Sequence, residues 1–205
     1  MTIIGLTGGI ASGKSTASER FKELGAAVVD GDLLGHRVYE VGTSGFEQIV
    51  NAFGHDLVDE AGEIDRRILG GKVFGAPDEM KRLTDIVWPE IRRLATEEFA
   101  NLREVNPDVV IVFEAAVLLE AEWQDMVDEV WVVTTKLETA IARLKSRNGL
   151  AREAALARIE SQMSNRQRLE FADVKIDNSE AEEKLRSRIE YHWKRLKKRI
   201  ADPAG

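Results

Sequence analysis

The run Thr2-Ile3-Ile4-Gly5-Leu6-Thr7-Gly8-Gly9-Ile10-Ala11-Ser12-Gly13-Lys14-Ser15-Thr16 constrains the fold more than any other stretch of the chain. It is a G-x-x-x-x-G-K-[ST] loop set between an apolar, strand-like run and a helix-like pattern of Ala17, Phe21 and Leu24. Glycines let the backbone curl tightly, so successive N–H groups of Gly8, Gly9, Ile10, Ala11, Ser12 and Gly13 converge on one point. A helix opening at Gly13 adds its unsatisfied amides and its positive dipole end. The expectation is a phosphate cradle, with Lys14 reaching the β- and γ-phosphates of a nucleotide, the Ser15 hydroxyl on Mg²⁺ and Thr16 closing the loop. The plainer alternative is a glycine-rich strand-to-helix turn with an incidental lysine; the correct flanks on both sides count against it.

With 205 residues, 43% of them hydrophobic, the chain suffices for one ordinary domain, or one carrying small insertions. It contains no cysteine, which excludes disulfides, thiolate chemistry and zinc–cysteine sites and fits a reducing compartment. The N-terminal apolar stretch is broken by glycines and then Lys14, unlike a signal peptide, and runs such as Val109 to Phe113 are far too short to span a membrane. The expectation is a cytoplasmic protein with no membrane partner. A net charge of −7 also argues against a general nucleic-acid binder, which needs a positive field.

That charge is unevenly placed. Ala95 to Val130 holds ten acids against one base, Arg103, whereas Arg143 to Arg168 holds seven bases against two acids. An acidic chain that gathers arginine in one segment has placed its cations for local use.

Strand-like runs at Ile3 to Leu6, Ala26 to Val29, Val109 to Phe113, Glu129 to Val133 and Val174 to Ile176 alternate with amphipathic helical stretches. That order predicts an α/β fold of the P-loop kinase type, a five-stranded parallel sheet flanked by helices. Between Asp32 and Pro107 only helices are legible: Leu33 to Val41, Ser44 to Phe53, Asp65 to Phe74 and Asp78 to Val105, with a break expected at Trp88-Pro89. This is far longer than a crossover needs and predicts a helical acceptor-binding insertion at about 33–106. Asn148-Gly149 marks a turn between Ala140 to Arg147 and Arg152 to Met163, a hairpin read as an arginine-rich lid at about 143–168. The kinase core is then about 1–32, 107–142 and 169–205 of a single domain, closed by a helix from Glu180 to Ile200 with Leu185, Ile189, Trp193 and Leu196 on one face.

Asp30 and Asp32 follow the second strand, read as a central one, at the sheet edge where α/β proteins bind ligands. Asp32 suits a base accepting the proton of an attacking hydroxyl, and Asp30 suits the Mg²⁺ hydration shell; the alternative for Asp32 is a helix N-cap. Arg143 and Arg147, at i and i+4, share a helix face from which either could stabilise charge on a transferring phosphoryl group, the alternative being a solvated face. Glu114 stands where a Walker B carboxylate is expected, though a strand-end glutamate alone is a weak signal. His36, His55 and His192 have no metal-ligand spacing.

In order and spacing, Gly5 to Ser15, Asp30-Gly31-Asp32, Arg66-Arg67 with Val73-Phe74, Val117-Leu118-Leu119-Glu120, Arg147 to Arg152, Gln162 and Ile176-Asp177-Asn178 resemble dephospho-CoA kinase. The resemblance runs over nearly the whole chain. Leu33 to Tyr39, Leu83 to Pro89 and Ala115 to Ala121 look especially like the kinase domain of bifunctional coenzyme A synthases. It implies transfer of the ATP γ-phosphate, with Mg²⁺, to the ribose 3′-hydroxyl of dephospho-CoA. Carried over residue by residue, Asp32 becomes the base, the loop binds ATP with Lys14, Arg147 becomes the lid arginine, and Gln162, Arg168 and Asn178 border adenine. The chain departs from common bacterial members at Gly31, where alanine is usual, at Trp88, where histidine is usual, and at Ala116 to Leu119, which replaces Pro-Leu-Leu.

Without the resemblance, the residues lead only to a small-molecule P-loop kinase, and a nucleoside monophosphate kinase would share its parts. A GTP-driven switch needs Asn-Lys-x-Asp, and no asparagine here precedes a lysine. A non-catalytic nucleotide sensor would have little use for Asp32.

Overall fold

The computed structural model describes residues 2–202; residues 1 and 203–205, assigned to the kinase core above, lie outside the described residues. Strands β1 (Thr2–Thr7), β2 (Ala27–Asp30), β3 (Val110–Glu114), β4 (Glu129–Thr134) and β5 (Val174–Asp177) form one sheet in the order β2-β3-β1-β4-β5. The pairings β1 with β3, β1 with β4 and β4 with β5 are parallel, with Ile4 opposite Val112 and Glu129. β3 is buried along its whole length, as its unbroken apolar run requires of a strand covered on both faces. The second strand is therefore not central: β3 occupies the place beside β1, and the shorter, half-buried β2 lies at the edge.

The chain divides into two compact units, residues 1–29 with 102–205 and residues 30–101. In the first, α1 (Lys14–Glu23) and α9 (Glu182–Ala201) cover one face of the sheet. Phe21 meets Trp131 edge-on with centroids 5.5 Å apart and Trp193 at 5.9 Å, while Leu185, Ile189 and Leu196 of α9 complete the cluster. Fully burying each such side chain contributes about 1.5–3 kcal/mol. Between β4 and β5 stand α6 (Leu137–Asn148), α7 (Arg152–Glu160) and the short α8 (Asn165–Leu169). Gly149, at φ +66°, ends α6 and turns the chain.

The second unit holds α2 (Gly31–Val38), α3 (Ser44–Phe53), α4 (Arg66–Val73) and most of α5 (Pro77–Val105). Leu34, Val38, Ile49, Phe53, Leu69, Val87 and Ile91 are buried. Gly45 is required by packing, since a Cβ there would lie 2.7 Å from the Val38 carbonyl oxygen. No break occurs at Trp88-Pro89: α5 runs through Pro89 as one helix. α2 ends at Val38, short of the Val41 expected from the sequence.

Candidate active site

The loop from Gly8 to Thr16 leaves the carboxyl end of β1 and opens α1, with Gly13 at φ +98° as its N-cap. A Cβ on Gly8 would lie 2.3 Å from the Val133 carbonyl oxygen, and one on Gly13 would lie 2.0 Å from the Asn178 side-chain nitrogen. Both glycines are demanded by close approach, and Gly13 by its backbone as well. Ala11 adopts φ +58°, a conformation that costs an L-residue about 1–2 kcal/mol. Such strain persists where surrounding contacts over-determine it.

Those contacts come from distant parts of the chain. The Arg143 guanidinium donates to the carbonyls of Ala11 (3.1 Å), Ser12 (3.4 Å) and Asn178 (3.0 Å). The Asn178 amide donates to the Ser12 carbonyl at 2.7 Å, and Gln162 Oε1 accepts from the Ile10 N–H at 2.8 Å. The loop is thus held open by three side chains from α6, from the end of β5 and from beyond α7. A cavity of about 500 Å³ lies against it, lined by the whole loop together with Arg143, Ser146, Arg147, Gln162, Asn178 and Glu182. The Ser12 hydroxyl is buried there with no hydrogen-bond partner among the described residues.

Glu114 ends β3 as a buried carboxylate. It accepts from the Ser18 hydroxyl and lies 3.5 Å from Ser15 Oγ. Hydroxyl and carboxylate oxygens so close are the donor type that hard divalent cations take. The strand-end glutamate gains meaning only from these two serines, which no linear motif joins to it.

Arg147 is exposed on the cavity wall and donates from Nε to Asn148 at 3.1 Å, whereas Arg143 is drawn into the loop. Arg168, which the resemblance sets beside adenine, is 1% exposed and donates to both Glu120 oxygens (2.7 and 3.3 Å) and to the Ala116 carbonyl. A buried guanidinium needs such partners, and these engage it fully.

Asp30 and Asp32 belong to the second unit. Asp30, not Asp32, is the N-cap: its Oδ1 accepts from the amides of Asp32 (2.9 Å) and Leu33 (3.1 Å). Asp32 is exposed in the first turn of α2. His36 is exposed near the other end of that helix. Among the described residues, no group of three or more metal-ligating His, Asp or Glu side chains forms, and no helix is long and apolar enough to cross a membrane.

The dephospho-CoA kinase family model matches residues 2–183. A dephospho-CoA kinase of Geobacter sulfurreducens is 45% identical over 193 residues, covering 94% of this chain and 98% of that protein. A crystal structure of a Thermus thermophilus protein is similar with a TM-score of 0.80 at 32% identity, over 95% of this chain and 97% of the other. The dephospho-CoA kinase from Campylobacter jejuni gives a TM-score of 0.72 at 28% identity, over 96% and 97% of the two chains.

Proposed function

The chain belongs to the dephospho-CoA kinase family, and we propose that it transfers the γ-phosphoryl group of ATP to the ribose 3′-hydroxyl of dephospho-CoA, giving coenzyme A and ADP. The observation that carries this reading is the pinned loop facing an open cavity with Lys14 and Arg147 on its wall. The buried, unpartnered Ser12 hydroxyl supports it, since a polar ligand would relieve that atom's desolvation.

The loop amides and Lys14 hold the β- and γ-phosphates, already arranged before ATP arrives because Arg143, Asn178 and Gln162 have fixed the backbone. The acceptor oxygen attacks phosphorus, the bond to the β–γ bridging oxygen breaks, and ADP leaves with that electron pair. Asp32 takes the hydroxyl proton. Arg147 supplies a forked, permanent charge to the transferring oxygens. Ser15 and Glu114 would hold Mg²⁺, with Asp30 offering its uncapped oxygen to the hydration shell. When bound, the ion neutralises charge on the phosphate oxygens. The helical segment at about 33–106 binds the acceptor, and the segment at about 143–168 acts as the lid. Both substrates are small and soluble, so neither nucleic acid nor membrane enters this reading, which places the enzyme in the cytoplasm.

A coupled ADP-release assay tests it, comparing dephospho-CoA with AMP, CMP, UMP and pantothenate. The expected result is rapid ADP formation with dephospho-CoA alone. Strong ADP release with a monophosphate and none with dephospho-CoA would overturn the acceptor assignment.

A further inference from the structure

The cavity against the loop is uneven in charge. Lys14, Arg143 and Arg147 give its wall three cations, and among the described residues that line it Glu182 is the one carboxylate. An acid does nothing for a polyphosphate, whose charge it repels. The α9 macrodipole favours an anion in its first turn, but Glu183 in the same turn meets that need and is not among the lining residues. Arg186 approaches Glu182 only to 4.0 Å and is already hydrogen-bonded to Glu23. The acceptor-only oxygens of Glu182 are therefore available to an N–H or O–H of a ligand.

Contacts along the loop show which end of the cavity this is. Gln162 holds Ile10 near the loop's start, while Asn178 and Arg143 hold the Ser12 carbonyl beside Gly13. Leu185, one turn after Glu182, packs in the cluster that contains Ala17 of α1. Glu182 thus stands on the α1 side, past the loop's last glycine. With the phosphates on the loop amides and Lys14, the nucleoside fills that end. Arg143 shapes it too. Its terminal nitrogens are spent on the carbonyls of Ala11, Ser12 and Asn178, which fixes the guanidinium plane as a stacking surface for a planar base.

We propose that Glu182 accepts a hydrogen bond from the 6-amino group of adenine and so selects ATP over purine nucleotides with a carbonyl oxygen in that place. The proposal rests on the reading that ATP fills this cavity. An amino group donates to the carboxylate, whereas a 6-oxo group sets one acceptor against another. Glu182 is a specificity-determining residue that touches the donor nucleotide and takes no part in the transfer.

The test compares ATP with inosine triphosphate, whose 6-oxygen replaces the amino group, on the full chain and on Glu182→Gln and Glu182→Leu. In the parent, kcat/KM for ATP exceeds that for inosine triphosphate at least about 10-fold, short of the ~10⁴-fold of a buried pair because Glu182 is exposed. Glu182→Gln brings the ratio within about 3-fold, since an amide turns to donate or accept, and Glu182→Leu does so by removing the polar group. Both keep the KM for dephospho-CoA within about 2-fold and the thermal midpoint within about 2 °C. A parent that uses the two nucleotides equally, or a preference for ATP that persists in both variants, overturns the proposal. Variants that lose discrimination against 2′-deoxy-ATP instead put the carboxylate on the ribose and overturn it as well. Equilibrium dialysis of the two nucleotides gives the ratio with no acceptor present. A parent enzyme that makes no coenzyme A therefore overturns the acceptor assignment alone, and the two failures are distinct.

Discussion

Asn178 governs a loop that is 166 residues away from it in the chain. Its side-chain amide donates to Ser12, its backbone carbonyl receives Arg143 and the Thr135 hydroxyl, and the absent Cβ of Gly13 makes room for it. Replacing Asn178 by aspartate keeps the shape but turns the donor into an acceptor facing a carbonyl. The loop then loses one of its ties, and the KM for ATP rises at least about 10-fold with a lowered thermal midpoint. Equal ATP KM values in the two proteins would show that the other ties suffice. Asp32→Asn makes the opposite separation. Nucleotide binding, followed by equilibrium dialysis, stays at the parent level while kcat falls about 10²-fold, the scale of a positioned general base. Turnover near that of the parent would remove Asp32 from the reaction.

At the scale of elements, α8 is a short helix anchored by a long-range pair. It has five residues, too few to stand by propensity alone. A capping box, Ser164 with Gln167, begins it, and the buried Arg168 at its end is tied to Glu120 and the Ala116 carbonyl. Glu120→Gln leaves a buried guanidinium uncompensated, a change that costs about 3–5 kcal/mol. In a chain of this size that lowers the melting temperature by about 6–20 °C, readable by calorimetry. A shift under about 2 °C would mean that backbone carbonyls alone satisfy Arg168. The same element shows where sequence reading stops. The strands and long helices are legible because their apolar periodicity is local. β2 at the edge, the contacts of Arg143 with the loop and the buried pairing of Arg168 with Glu120 are not, because each depends on which distant element lies alongside. The cradle was legible as a motif, whereas the side chains that hold its shape lie 131 to 166 residues away.

For the molecule taken whole, stability against acid follows from the groups whose proton affinity changes on folding. His192 lies against Trp131 and Tyr191 at centroid distances of 5.9 and 5.1 Å, and burial, with Arg195 and Arg199 nearby, lowers its pKa. The unfolded chain therefore takes up that proton first. The stability that a neutral His192 contributes is complete above its ordinary value of about 6.5 and is lost as pH falls through the window below it. Glu23, Asp56 and Glu138 form a second, lower step. Hydrogen bonds from Arg20, Lys72 and Arg152 respectively hold their carboxyls below the usual range, so their contribution is complete above about 4.5 and is lost toward lower pH. Urea midpoints measured from pH 8 to pH 3 thus decline in two stages, and His192→Gln abolishes the upper stage while sparing the lower. If the variant keeps the upper decline, the proton belongs to another group and the α9–sheet contact is not what senses it.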